Sequence, residues 1–87
     1  MTCHNRITKT KKCLEKISLL KKVHKIRLNI YLVDDGSRDG TGVYIKKKFP
    51  KIKLLKGNGN LFWAGGMRIA WNKAKKKQYD YYLWLND

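Results

Sequence analysis

Eighty-seven residues make one small domain at most, and a chain of this size buries only about 60–65% of its unfolded surface. Ordinary apolar and aromatic content excludes a disordered tail, a collagen-like segment or a repeat array. No apolar run approaches the ~20 residues that a membrane-spanning helix needs, and Met1 is followed by polar and basic residues rather than by the apolar stretch of a signal peptide. The formal charge is +15 and comes mostly from lysine, in runs at Lys11-Lys12, Lys21-Lys22, Lys46 to Lys48 and Lys75 to Lys77. Lysine runs on or beside helices read first as a solvated exterior, second as attraction to an anionic membrane surface, and last as a nucleic-acid surface, which favours arginine and exposed aromatics.

In chain order, Met1-Thr2 reads as the tail of a strand, with nothing before it to complete that strand. Thr8 to His24 is a predicted helix, with Cys13, Leu14, Ile17, Leu20 and His24 at spacings of three and four. Asn29 to Asp34 is a β-branched and aromatic strand, apolar on both faces, that ends in the turn signal Asp-Asp-Gly-Ser. A second helix starts near Thr41 and runs to Phe49, where Pro50 stops it. Lys51 to Leu55 is a short strand, Gly57 to Asn60 a loop, and Ala64 to Lys77 a third helix. Gly65-Gly66 weakens the start of that helix and suggests close approach of another group to its backbone. Asp80 to Leu85 is the last predicted strand. Alternating strands and helices predict a parallel α/β sheet covered on both faces. In such sheets ligands bind beyond the carboxyl ends of the strands, where the polar clusters Thr2 to Arg6, Asp34 to Asp39 and Asn86-Asp87 fall.

Several familiar motifs can be set aside. A calcium loop counted from Asp35 would need a glutamate at its twelfth position and finds Lys46. A dinucleotide fingerprint at Gly57-Asn58-Gly59 lacks its third glycine, which Phe62 replaces, and no Gly-Lys-Ser/Thr loop is present. Cys3 and His4 are adjacent, so an extended backbone points them apart and they make a poor nucleophile–base pair. Cys3 and Cys13 form neither a metal-ligand pattern nor a required disulfide and read as free thiols of a reducing compartment.

Four segments in register resemble the opening of family 2 glycosyltransferases: Thr2-Cys3-His4-Asn5-Arg6, Ile30 to Thr41, Gly59 to Met67 (with Phe62 where that family has glycine), and Tyr82 to Asp87 leading into its Asp-x-Asp motif. The resemblance spans the chain and is rhamnosyltransferase-like. It implies an α/β fold, a partial GT-A (Rossmann-like) three-layer parallel sheet truncated at both ends, with residues 1–87 as a single partial domain, the N-terminal nucleotide-sugar-binding half of a glycosyltransferase. Sheet order would place the strand at 29–34 between the first strand and 51–55, with 80–85 on the far side of the first.

By the same resemblance Thr2 contacts the nucleoside through its backbone, His4 stacks on the base and Asp35 accepts a hydrogen bond from the base imide. Asp34 would be structural, and Gly65 and Gly66 would bring backbone near the donor. Asp87 lies near the ribose as the first carboxylate of the metal motif, whose main ligand would be the next residue. The implied cofactor is a divalent metal, manganese or magnesium. The implied reaction transfers a sugar from a nucleotide diphosphate to a glycan or lipid-linked acceptor, in bacterial surface-polysaccharide synthesis. The parent would be cytoplasmic at the inner face of the membrane, with peripheral membrane association and no nucleic acid, and this chain alone would be inactive. A basic nucleic-acid module and a sugar nucleotidyltransferase are the alternatives. Exposed tryptophans on a lysine-rich face would favour the first, and a basic glycine-rich loop after the first strand, which Thr2 to Arg6 lacks, would favour the second.

Overall fold

A computed structural model describes all 87 residues. Its elements are β1 (Thr2–Cys3), α1 (Ile7–His24), β2 (Tyr31–Asp35), α2 (Thr41–Lys48), β3 (Lys53–Gly57) and α3 (Phe62–Ala74). The three strands form one parallel sheet in the order β1-β2-β3, with Thr2 opposite Val33 and Tyr31 to Asp35 opposite Lys53 to Gly57. This is the expected parallel α/β arrangement, with the strand that ends in Asp34-Asp35 at its centre.

Strand residues alternate between faces. Cys3 and Leu32 meet Leu14 of α1 and Ile45 of α2, and Met1 completes this fully apolar cluster. Thr2 and Val33 face the other way, under the buried Gly66, Met67 and Ala70 of α3. Helices therefore cover both faces of the sheet. Gly66 shows how closely α3 sits on it: a Cβ added there would lie 2.2 Å from the Thr2 hydroxyl.

Four elements differ from the pattern in the sequence, the first being the central strand, which runs 31–35 rather than 29–34. The third strand is 53–57 rather than 51–55, because the turn after α2 consumes Lys51 and Ile52, with Ile52 N–H donating to the Phe49 carbonyl at 3.0 Å. The third helix is 62–74 rather than 64–77. It starts early because the Asp35 carboxylate accepts its first free amides, and it unwinds through i→i+3 bonds at Lys76 and Lys77. The strand expected at 80–85 does not form. Its partner would be the outer edge of β1, and β1 is two residues long, too short to template a ladder.

The segment after α3 is instead held by side chains. A run of aromatic contacts, edge-on from Tyr31 to Tyr79, Tyr79 to Tyr82 and Tyr82 to Trp71, and tilted from Trp71 to Trp84 and on to Trp63, has ring centroids 5.0–6.3 Å apart.

Candidate functional site

The loops that follow the three strands meet beyond their carboxyl ends. Asn5 sits in the left-handed region at φ 47, a conformation asparagine tolerates. Its N–H donates to Ser37 Oγ at 2.9 Å, and its side-chain carbonyl accepts Arg38 N–H at 2.7 Å. Asp39 ties the same two loops together. One oxygen accepts the Ile7 N–H at 2.9 Å, and the other accepts the Thr41 N–H at 3.1 Å and the Thr41 hydroxyl. Neither helix has a side-chain cap of its own at the N-cap position, so one carboxylate serves the amino ends of both α1 and α2. Burial would raise the Asp39 pKa, but the hydrogen bonds from Thr41 and Ile7 outweigh it and hold the carboxyl below its ordinary value.

Asp34 and Asp35 divide the work at the end of β2. Asp34 Oδ1 accepts the Ser37 N–H at 3.2 Å, a local contact that matches its structural assignment. Asp35 reaches across to the third loop, where Oδ1 accepts Gly59 N–H at 2.8 Å and Oδ2 accepts Leu61 and Phe62 N–H at 3.0 and 3.1 Å. The buried carboxylate thus caps α3. Gly36 makes the approach possible: at φ 66 it passes so near the third loop that a Cβ would lie 2.8 Å from Gly59 N.

Between the first and third loops and the chain's last residues lies a cavity of about 360 Å³, lined by Thr2, Cys3, His4, Arg6, Asp35, Phe62, Trp63, Asn86 and Asp87. Four of the six residues picked from the sequence, Thr2, His4, Asp35 and Asp87, converge here. Gly65 and Gly66 do not line it. Gly65 packs against Leu61, and Gly66 packs against Thr2 from the other side, so the absence of a side chain at each serves helix packing.

His4 Nδ1 faces the Asp35 carbonyl and Nε2 lies 3.3 Å from the Asn5 amide nitrogen. A carbonyl only accepts, so Nδ1 carries the hydrogen and the ring orientation is fixed. Asp87 Oδ2 accepts the Thr10 hydroxyl at 2.6 Å and Oδ1 stands 3.6 Å from Arg6. Arg6 is half exposed and is the only lysine or arginine lining the cavity. The Cys3 thiol is pushed up to about 12, first by burial and then by the Asp34 charge, so it stays protonated and is no nucleophile.

The implied divalent cation can be tested against these groups. No three histidine, cysteine, aspartate or glutamate side chains are placed to share a metal ion. Both Asp35 oxygens face amides, and Asp87 faces a hydroxyl and a guanidinium. These residues do not form a cation site.

Phe62, Trp63 and Asn86 also line the cavity but were not among the site residues picked from the sequence, although Asn86 belongs to the polar cluster at 86–87. Trp63 Nε1 donates to the Asn86 side-chain carbonyl and closes one wall of the cavity. Phe62 stands at φ 56, in the left-handed region, at the position where the resembled family has glycine. That mismatch was the available signal. Trp63 and Trp84 are half exposed and pack on one another, and Trp84 packs on Trp71, outside the sheet core.

A parallel sheet with helices on both faces is a small α/β fold of the Rossmann-like kind, in which ligands bind beyond the carboxyl ends of the strands, the edge where this cavity opens. The sequence model of glycosyl transferase family 2 matches residues 1–87, and the chain belongs to that family. No curated protein and no solved structure matches the chain significantly.

Proposed function

We propose that the cavity takes the nucleotide part of a nucleoside diphosphate sugar, and that the sugar passes to a hydroxyl of a glycan or lipid-linked acceptor. The observation that supports this most directly is the convergence of Thr2, His4, Asp35 and Asp87 on one cavity at the carboxyl edge of the sheet, in a chain of this family. His4 offers a ring of fixed orientation to a base. Asp35 Oδ1 accepts one amide and a carboxylate oxygen has two lone pairs, so it can take an imide N–H without releasing the third loop. Arg6 offers the nearest positive charge to a diphosphate once it leaves Asp87. The role in bacterial surface-polysaccharide synthesis rests on the rhamnosyltransferase-like resemblance alone. A cytoplasmic location is supported only by the free thiols of Cys3 and Cys13.

Binding and turnover should separate in this chain. A general base must be free to take a proton. Both carboxylates at the cavity are engaged, Asp35 by three amides and Asp87 by Thr10 and Arg6. The 87 residues are expected to bind uridine or thymidine diphosphate with Kd near ~1 mM, about 4 kcal/mol, and to transfer no sugar. NMR titration checks this, with His4→Ala and Arg6→Ala each weakening binding several-fold. The reading fails if neither nucleotide shifts the resonances of the cavity residues, or if both variants bind as the parent does.

A further inference from the structure

The far end of α1 does not follow the logic of its first half. Thr10 and Leu14 are buried and Ile17 half-buried, but every residue from Ser18 to Asn29 is exposed. Among them Leu19, Leu20, Val23 and Ile26 are 62, 54, 63 and 49% exposed. At about 100° per residue, Leu19 and Val23 stand roughly 140° and 180° from Leu14 around the helix, so they point away from the sheet. Exposed aliphatic side chains clustered on one helix end mark an interaction surface rather than a solvated one. The same stretch carries Lys16, Lys21, Lys22, Lys25 and Arg27, and no acidic residue occurs between Lys16 and Val33.

We propose that this surface, the end of α1 and the turn after it, docks the protein onto an anionic lipid bilayer. The chemistry is complementary on both counts. Leucine and valine enter the headgroup boundary, while lysine stems extend along it and their ammonium groups meet lipid phosphates. The surface carries no aromatic side chain to stack on bases and a single arginine, which disfavours nucleic acid as its occupant. The helix is not long and apolar enough to cross a membrane, so the contact is peripheral. The proposal stands on α1 alone and does not rest on the nucleotide site.

The test is cosedimentation of the 87-residue chain with phosphatidylcholine vesicles containing or lacking phosphatidylglycerol. Binding is expected only with the anionic lipid, falling as salt rises. Leu19→Ser/Leu20→Ser leaves the charge unchanged and should weaken binding about tenfold or more. Lys21→Glu/Lys22→Glu should weaken it at least about a hundredfold. The same charge change on α2, Lys47→Glu/Lys48→Glu, should cost at least about tenfold less, because a surface contact depends on where charge sits. All these residues are exposed, and circular dichroism confirms that each variant keeps its fold. The proposal is overturned if the leucine variant binds like the parent, if the α2 variant loses as much as the α1 variant, or if the chain ignores anionic vesicles at low salt while binding single-stranded RNA.

Discussion

The two walls of the cavity are built by different means. On one side, loops after β1, β2 and β3 are joined by carboxylates to backbone amides: Asp35 to residues 59, 61 and 62, and Asp39 to residues 7 and 41. On the other side, Asn86 and Asp87 belong to a segment with no ladder bonds, held by Thr10, Arg6, Trp63 and the aromatic run. Charge-assisted bonds to backbone fix the chain itself, whereas side-chain clamps fix only a position and can be released one at a time. The loop wall should therefore fail with the whole fold, and the aromatic wall should loosen alone.

Asp35→Ala tests the first half of that contrast and carries the largest expected effect. It leaves three amides at the start of α3 without their acceptor in a buried site, at a cost of roughly 3 kcal/mol. In so small a domain that is a large share of total stability, so the urea midpoint should collapse or cooperative unfolding should be lost. A midpoint shift of less than about 1 kcal/mol would mean that the third loop is held by something other than this carboxylate.

Asp39→Ala comes next, because it uncaps two helices at about 1 kcal/mol each. Its pH dependence has a definite sign. The folded-state pKa lies below the ordinary 3.8, so the stabilisation is complete above that value and is lost as pH falls through the lower folded value. Acid titration of the parent should show this loss, and Asp39→Asn should remove it. If both unfold along the same acid profile, Asp39 does not couple the helices.

Asp87→Ala probes the opposite wall and should cost under about 1 kcal/mol, since it releases one hydroxyl and a half-exposed arginine. The expected readout is local: tryptophan emission shifts to the red as Trp84 and Trp63 gain water, while the urea midpoint barely moves. A global loss as large as that of Asp35→Ala would erase the distinction between the walls.

This division was half visible in the sequence. The β-branched run ending in Asp34-Asp35-Gly36 placed the central strand and the cavity edge, and Pro50 marked the end of α2, because those signals are local. Asp39 meets Thr41 two positions away, but its bond to Ile7 and the three bonds of Asp35 join residues 24 to 32 positions apart, and no spacing rule encodes those. The strand at 80–85 was misread for a related reason. Alternating Tyr, Leu and Trp signal strand-forming capacity, but a strand forms only against an edge, and β1 offers two residues of it. Family resemblance located His4, Asp35 and Asp87 at the cavity, while the hydrogen bonds each makes became visible only in three dimensions.

The smallest expected effect has the opposite sign. Phe62 begins α3 at φ 56, a backbone region that costs a residue with a Cβ about 1 kcal/mol or more and costs glycine nothing. Its ring is 75% exposed, so little packing is lost by removing it. Its N–H bond to Asp35 is a backbone contact and survives any substitution except proline. Phe62→Gly should therefore stabilise the chain by up to about 1 kcal/mol, less what the greater freedom of glycine in the unfolded chain takes back. Phe62→Ala separates the two contributions: it removes the same ring, keeps the strained backbone, and should gain nothing. If alanine and glycine behave alike, the ring rather than the backbone sets the energetics of this corner. A gain with glycine alone would instead show that the loop wall bears a backbone strain at its junction with α3, in the position where the family has no Cβ to accommodate.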